Sequence, residues 1–390
     1  MVKSKKSIPY GRQSISQADV DAVIAVLNSD YLTQGPTVAA FERAVADRVG
    51  AAHAIASNSA TSSLHLACLA LGVGPGDVVW TTPITFVASA NCARYCGASV
   101  DFVDIDPLSY NLSVDRLREK LEQAEKHGQL PKAVVVVHLA GHPADMSAIR
   151  SLSRQYGFYV IEDASHAIGG SYRSTKIGSC AYSDITIFSF HPVKVITSGE
   201  GGMALTNDER LARKIARLNS HGITRQADEM QHSSHGPWYY EQLELGYNYR
   251  MTDIHAALGL SQLSRLEEFV SRRHLLARRY DEALKDLPLV LPWRHEQDYS
   301  GFHLYVVRLR DDLKKNHRAI FEALRERGVL VNLHYIPVYR QPDYEPLEFN
   351  AANFPQAETY YASAMSIPLY PDLSEDEQNE VVLALREVLG

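Results

Sequence analysis

Between about residues 53 and 206, short apolar runs alternate with amphipathic stretches, and this alternation constrains the fold more than any other feature of the chain. Ala54-Ile55-Ala56 leads into a helical pattern over about 60–71, stopped by Gly72. Val78-Val79-Trp80, 99–105, the valine-rich 133–137, Tyr159-Val160-Ile161 and 185–190 then read as successive strands. Strands alternating with helices predict a mostly parallel sheet covered on both faces, an α/β architecture.

Upstream of this block, Ser16 with Asp19 three residues later forms a helix-start signal. Val20, Val23, Ile24 and Leu27 follow at helical spacing, and the polar stretch beyond them closes at Gly35-Pro36. After Met251 the pattern changes. A long helical stretch over about 254–284 carries Leu258, Leu266, Phe269, Leu276 and Tyr280. A strand (304–309), a helix (317–327), a strand (329–333) and a last helix opened by Ser374 and Glu377 come after it. The expected organisation is a large domain over 1–262, including an N-terminal arm, and a smaller α+β domain over 263–390.

With 390 residues, 45% of them hydrophobic and 22% charged, the chain can bury a sizeable core. Its net charge of -7 gives no electrostatic footprint for nucleic acid, so an anionic substrate would have to be held by local basic residues. Met1 to Tyr10 carries three lysines with no apolar run behind them, which does not read as a signal peptide. The most apolar run, 133–140, is too short to span a membrane. Cys68, Cys92, Cys96 and Cys180 form no C-x-x-C pair and no zinc-ligand spacing, and read as small core side chains. No metal is expected, and the cytoplasm is the expected compartment.

In open α/β sheets, ligands sit beyond the carboxyl ends of the strands. Four segments there carry chemistry. Ser57-Asn58-Ser59-Ala60-Thr61-Ser62-Ser63 places small hydroxyl residues at a helix start, which is either plain N-capping or a phosphate cradle. Neither a P-loop nor a G-x-G-x-x-G fingerprint is present. Tyr159 to Ala167 delivers Glu162 and Asp163 at a strand exit, where Asp163 caps a turn or faces a ligand cation. Ser189-Phe190-His191-Pro192-Val193-Lys194 precedes Gly199-Glu200-Gly201-Gly202, so a lysine lies beside a backbone that can approach a ligand closely. A lysine in such a site can lose its proton and form an imine with a carbonyl. Leu245 to Asp253 mixes polar and aromatic residues just before the long helix.

In this order the four segments resemble the DegT/StrS-type sugar aminotransferases, within the aspartate-aminotransferase-like fold type I of pyridoxal-phosphate (PLP) enzymes. SFHPVKVITSGEGG, EDASHAIG, NYRMTDIHAALGLSQL and LTQGPTVAAFE carry the resemblance, which runs from about Ile8 to the last helix. It implies that Lys194 holds PLP and moves the proton between the amino donor's α-carbon and the cofactor. It implies Asp163 at the pyridine nitrogen, His166 near the ring oxygen, Phe86 stacked on the ring, and Ala60, Thr61 and Ser189 at the phosphate. Asn248 matches a residue that reaches the phosphate from a neighbouring subunit, so a homodimer with a shared site is implied. Arg250 beside it falls to the substrate diphosphate or the donor carboxylate. The lysine at 194 sets the chain apart from the dehydratase branch, which has histidine there.

Tyr31 to Gly35, Asn58 to Ser62, Thr81 to Ala88, His303-Leu304-Tyr305 and His334 to Tyr339 resemble the branch that serves pseudaminic acid biosynthesis. The implied reaction passes the amine of L-glutamate to C4 of a UDP-linked 4-keto-6-deoxy-N-acetyl-hexosamine. Tyr10, Thr33, Gln34, His334 and Tyr335 are the implied sugar-nucleotide contacts. A dTDP- or GDP-linked sugar, a C3 ketone, and a PLP-binding regulator without turnover stand as alternatives. The polar, aromatic-bearing stretch 225–244 varies among relatives and can reshape the sugar pocket.

Overall fold

A seven-stranded sheet organises the first two thirds of the chain. The computed structural model describes residues 7–390; Lys3, Lys5 and Lys6 of the N-terminal lysine run lie outside the described residues. In chain order the strands are β1 (His53–Ser57), β2 (Val78–Thr81), β3 (Ser99–Phe102), β4 (Ala133–Val137), β5 (Tyr159–Asp163), β6 (Ile185–Ser189) and β7 (Gly202–Thr206). Their spatial order is β1-β7-β6-β5-β4-β2-β3. Neighbours from β6 to β3 are parallel, whereas β7 runs antiparallel to both β6 and β1. β4 shows why the valine run forms a central strand. All five of its residues are buried. Ala133 and Val135 pack into one apolar cluster and Val134 and Val136 into the other, so the two-residue period fills both faces.

The helices are α1 (Gln17–Leu27), α2 (Pro36–Val49), α3 (Ala60–Ala70), α4 (Ala88–Tyr95), α5 (Val114–His127), α6 (Met146–Tyr156), α7 (Glu209–Asn219), α8 (Asp253–Ser264), α9 (Leu266–Leu284), α10 (His317–Glu326), α11 (Pro355–Tyr361) and α12 (Glu375–Leu389). Ser16 and Asp19 make the expected capping box on α1, and Ser374 and Glu377 make the one on α12. Three features differ from the sequence pattern. Gly35-Pro36 opens α2 instead of closing the stretch after α1: Gly35 is its N-cap and Pro36 its first residue. Asp253 satisfies that helix start from a distance, accepting the Gly35 and Thr37 N–H groups at 2.8 and 2.9 Å, while Thr252 caps α8 itself. The long helix over 254–284 is two helices, broken at Arg265 (φ −101°, ψ 5°).

The apolar stripe of α1 also points outward. Val20, Ile24 and Leu27 are 41%, 48% and 54% exposed. The helix docks instead through the buried Asp19, which accepts hydrogen bonds from Ser261 Oγ (2.6 Å) and Gln262 Nε2 (2.7 Å) of α8.

Beyond α9, strands β8 (Leu289–Val290), β9 (Tyr305–Leu309) and β10 (Ala364–Ile367) form an antiparallel sheet. Ile8–Pro9 pairs in parallel with Val329–Leu330, so the first described residues attach to this C-terminal unit. Its core includes Ile8, Leu276, Tyr280, Tyr305, Val307, Leu324 and Leu385. Cys68, Cys92 and Cys180 are buried, and Cys96 is half-buried.

Arg273 of α9 is the largest polar side chain in the fully buried set. Its Nη1 donates to three carbonyls, Phe302 O (3.2 Å), His303 O (3.1 Å) and Leu369 O (2.9 Å), and burial lowers its pKa to about 10. It thereby ties α9 to the segments that flank β9 and β10. An Arg273→Met substitution keeps the volume and removes those donors. The expected cost is about 3 kcal/mol of unfolding free energy, from buried carbonyls losing their partners. Denaturant unfolding of the two proteins measures it.

Candidate active site

The carboxyl ends of β1, β4, β5 and β6 and the start of β7 meet at one edge of the large sheet. Register places Gly202 opposite both Ser57 and Ser189. A Cβ built on Gly202 would lie 2.4 Å from Ala60 N and from Ser59 C, so only glycine lets β7 start against the first turn of α3. In that turn Ser59 Oγ accepts the Ser62 N–H (3.1 Å) and Ser59 O accepts the Ser63 N–H (3.1 Å). The N–H groups of Ala60 and Thr61 remain as its outward donors. A cavity of about 400 Å³ opens at this edge, and Ser59, Ala60 and Thr61 line it.

The same cavity is lined by Phe86, Asp163, His166, Ser189, Lys194, Tyr10, His334 and Tyr335. Ten of the fourteen residues expected at the site therefore converge here: these eight together with Ala60 and Thr61. Asp163 ends β5 and is 5% exposed. Its Oδ2 accepts Ser89 Oγ at 2.6 Å; its Oδ1 accepts Ser165 Oγ at 2.6 Å and the Ser165 N–H at 3.2 Å. Thr85 Oγ1 lies 2.8 Å from Ser89 Oγ and extends the chain. Lys194 follows β6 in a turn closed by its own N–H on His191 O (2.9 Å). Burial lowers its pKa to about 8, against the pull of the Asp163 charge, which raises it. Phe86, a large apolar ring, remains 57% exposed.

Three histidines surround the lysine. Burial and the charge of Lys194 hold His166 and His303 well below the usual imidazole range, and His334 falls to about 3. The His166 and His303 rings lie 4.5 Å apart. His303, Ser89, Ser165, Glu200 and Asn332 were not among the expected site residues, yet all line the cavity. Ser165, Glu200 and His303 stand within stretches the sequence singles out, Ser165 as a hydroxyl two residues beyond an aspartate; Ser89 and Asn332 carried no local signal. Ser89 reaches Asp163 across 74 residues of chain.

Thr33, Gln34, Asn248 and Arg250 lie outside the cavity lining. Isolated backbone bridges hold three of them. Thr33 bridges Thr252, Arg250 bridges Ser57, and Asn248 bridges Ser220. Asn58 N donates to Tyr249 O at 2.6 Å, and Arg250 Nη1 to Ser220 Oγ at 3.0 Å. The 225–244 stretch is fastened to α7 by ion pairs from Arg213 to Asp228 and from Arg217 to Glu229 and Glu244.

The model of the DegT/DnrJ/EryC1/StrS aminotransferase family matches residues 13–386. The chain belongs to that family. It is 39% identical over 393 residues to the spore coat polysaccharide biosynthesis protein SpsC of Bacillus subtilis, covering 99% of this chain and 98% of that protein. Among solved structures, Helicobacter pylori PseC, an aminotransferase involved in pseudaminic acid biosynthesis, superposes with a TM-score of 0.90. The two share 31% identity over 98% of this chain and 99% of that one. The putative sugar aminotransferase Spr1654 of Streptococcus pneumoniae, solved with PMP and with PLP, gives TM-scores of 0.88 and 0.87. Identities are 28% and 27% over 98% of this chain and 98% and 100% of the respective neighbours. The fold is that of the type I PLP enzymes, and the protein is a PLP-dependent sugar aminotransferase.

The cavity fits that cofactor on its own terms. It offers a desolvated amine, a carboxylate from the neighbouring strand exit, an exposed aromatic ring, and a helix start that glycine alone lets the sheet approach. The neutral amine is the reactive form, so the rate at which the apoprotein recovers colour with PLP should rise as pH passes through about 8 and level off above it. An ordinary lysine would need a pH above about 10. Asp163→Asn removes the charge that raises this pKa, so the midpoint should move below 8. Stopped-flow absorbance against pH reads both.

Proposed function

We propose that the protein transfers the amino group of L-glutamate to the C4 keto group of a UDP-linked 4-keto-6-deoxy-N-acetyl-hexosamine, the amination used in pseudaminic acid biosynthesis, as a cytoplasmic homodimer. The observation that carries this reading is the convergence of Lys194, Asp163 and the first turn of α3 on one cavity whose remaining wall is Tyr10, His334 and Tyr335. Lys194 is the catalytic residue. Bound PLP supplies a ring that accepts the electrons released when the donor's Cα–H bond breaks. The ε-amine of Lys194, once free, takes the proton from that α-carbon and returns it at the cofactor's C4′ carbon, work suited to an amine whose pKa lies near the working pH.

The other residues bind and orient. Asp163 pairs with the pyridine nitrogen, and Ser89 and Ser165 fix the direction of its oxygens. The N–H groups of Ala60 and Thr61 and the hydroxyls of Thr61 and Ser189 receive the phosphate at a helix N-terminus. Phe86 covers one face of the ring, and His166 lies toward its ring oxygen. In this reading the large domain over 1–262 supplies the chemistry. The domain over 263–390, together with Tyr10, supplies the sugar wall.

The charge inventory supports a shared site. Among the described residues, the cavity lining holds Lys194 as its one lysine and no arginine, and burial lowers the pKa of three of its histidines, His166, His303 and His334. A diphosphate and a dicarboxylate need cations. We assign that task, and a further contact to the cofactor phosphate, to residues 33–34 and 248–250 of a second subunit. There Asn248 reaches the phosphate, Arg250 the anionic substrate groups, and Thr33 and Gln34 the sugar nucleotide. The outward stripe Val20, Ile24 and Leu27 supplies apolar surface for such a contact.

Purified enzyme should be yellow and should change colour on adding glutamate. A screen of UDP-, dTDP- and GDP-linked 4-keto sugars with glutamate, read by mass spectrometry, should show amine on the UDP sugar. Amine only on a dTDP or GDP sugar overturns the substrate, and no turnover on any sugar favours the regulator. Lys194→Ala should be colourless and at least about 10⁴-fold slower. Mixing Lys194→Ala with Asn248→Ala, each inactive alone, should restore activity through heterodimers with one intact site. A mixture as inactive as its parts overturns the shared site.

A further inference from the structure

Hydrogen-bond direction along one edge of the cavity is fixed by the backbone. The Ala140 N–H donates to His166 Nδ1 at 3.2 Å. A backbone amide can only donate, so Nδ1 carries no proton and the proton of the neutral ring sits on Nε2. His166 Nε2 lies 3.1 Å from the hydroxyl oxygen of Tyr335, and the N–H must therefore donate to it. With its oxygen occupied as an acceptor, Tyr335 has its own O–H left to give. Among the described residues no other group pairs with that hydroxyl, and Tyr335 lines the cavity.

The donor that starts this chain is held rigidly. Ala140 sits at positive φ (58°), Leu304 N donates to its carbonyl at 3.2 Å, and Gly301 N donates to Gly141 O at 2.9 Å. A Cβ on Gly141 would meet His166 O and Phe302 N at 2.7 Å each. The loop is thus pressed against the segment it orients. The His303 ring packs on His166 at 4.5 Å between centroids, tilted by 51°. The same logic sets His334: Asn332 Nδ2 donates to its Nε2 (3.3 Å), so its Nδ1–H donates to Ser366 Oγ (2.8 Å), away from Tyr335.

We propose that Tyr335 is a one-way hydrogen-bond donor to a ligand oxygen in the active-site cavity, and that His166 is the positioning residue that sets this direction. The inference rests on the aminotransferase reading above for the identity of that oxygen. Two oxygens share the required acceptor chemistry: the ring oxygen of the cofactor and the keto oxygen of the sugar. Burial and the neighbouring Asp163 and Tyr10 raise the Tyr335 pKa, so the phenol keeps the proton it donates.

Two kinds of measurement on the holoenzyme decide it. With ring-¹⁵N-histidine labelling, the His166 signals, identified by their loss in His166→Gln, should show Nδ1 bare and Nε2 protonated without titration between about pH 6 and 9. A proton on Nδ1 overturns the proposal. Tyr335→Phe is then compared with wild type in a pH titration of the resting enzyme's absorbance and in steady-state kinetics. If the acceptor is the cofactor oxygen, the absorbance midpoint moves. If it is the keto oxygen, the spectrum is unchanged and kcat falls about 10²-fold with KM within a factor of about three. His166→Leu should move in the direction of Tyr335→Phe, and His166→Gln, which keeps a donor near Nε2, should recover part of what His166→Leu loses. A Tyr335→Phe enzyme equal to wild type in both spectrum and kcat overturns the proposal. Wild-type enzyme that gives no colour change with glutamate would defeat the aminotransferase reading while leaving the ¹⁵N result to stand.

Discussion

A desolvated amine and a buried carboxylate share one edge of the large sheet, and the rest of the site is arranged around that pair. Burial pulls the Lys194 pKa down and Asp163 pulls it up, and the balance rests at about 8. Burial alone would leave the pKa lower still, and the Asp163 charge alone would hold it above the ordinary lysine value. The balance needs Asp163 to stay oriented, which the Ser89 and Ser165 hydroxyls do at 2.6 Å each. It also needs β6 and β5 to be neighbours, so that the turn bearing Lys194 and the exit bearing Asp163 share one edge. The antiparallel return of β7 then brings Gly202 to that edge, against the start of α3.

The parts legible in the sequence are those in which local pattern and tertiary role agree. The valine run forms a strand covered on both faces because its two-residue period fills both clusters. Ser16, Asp19, Ser374 and Glu377 cap helices because capping is a local interaction. Lys194 and Asp163 were legible through the ordered set of motifs around them. What stayed hidden is tertiary. Gly35-Pro36 is a stop signal and a start signal alike, and it becomes a start because Asp253, 218 residues away, accepts the Gly35 N–H. The apolar spacing of α1 suits a buried face equally well, but the Asp19–Gln262 contact turns that face outward. Ser89 had no motif to mark it, since it acts on Asp163, 74 residues along the chain, and His303 stood in a quoted stretch that gave it no role.

The two walls of the cavity come from different parts of the fold, and this explains why chemistry was easier to infer than substrate. The sheet edge brings Lys194, Asp163, Ser189 and the α3 start, all set by strand register. The opposite wall comes from the loops around His303 and from Asn332 to Tyr335, with Tyr10 packed on His334 at 4.9 Å between ring centroids. Loops tolerate change that a register does not. Arg273 joins the systems by holding the carbonyls of Phe302 and His303 to α9.

Electrostatics carries the same division one step further. A cavity lined by Asp163, Glu200, one lysine of lowered pKa and no arginine offers an anion little fixed positive charge. Keeping arginines out of the lining protects the balance on Lys194, because another fixed cation beside the amine would lower its pKa further. In the proposed dimer, cations from a second subunit would meet the substrate's anionic groups at the rim, where water and distance would screen them from the amine. The proposed dimer thus separates the charge that recognises the substrate from the charge that tunes the catalytic lysine.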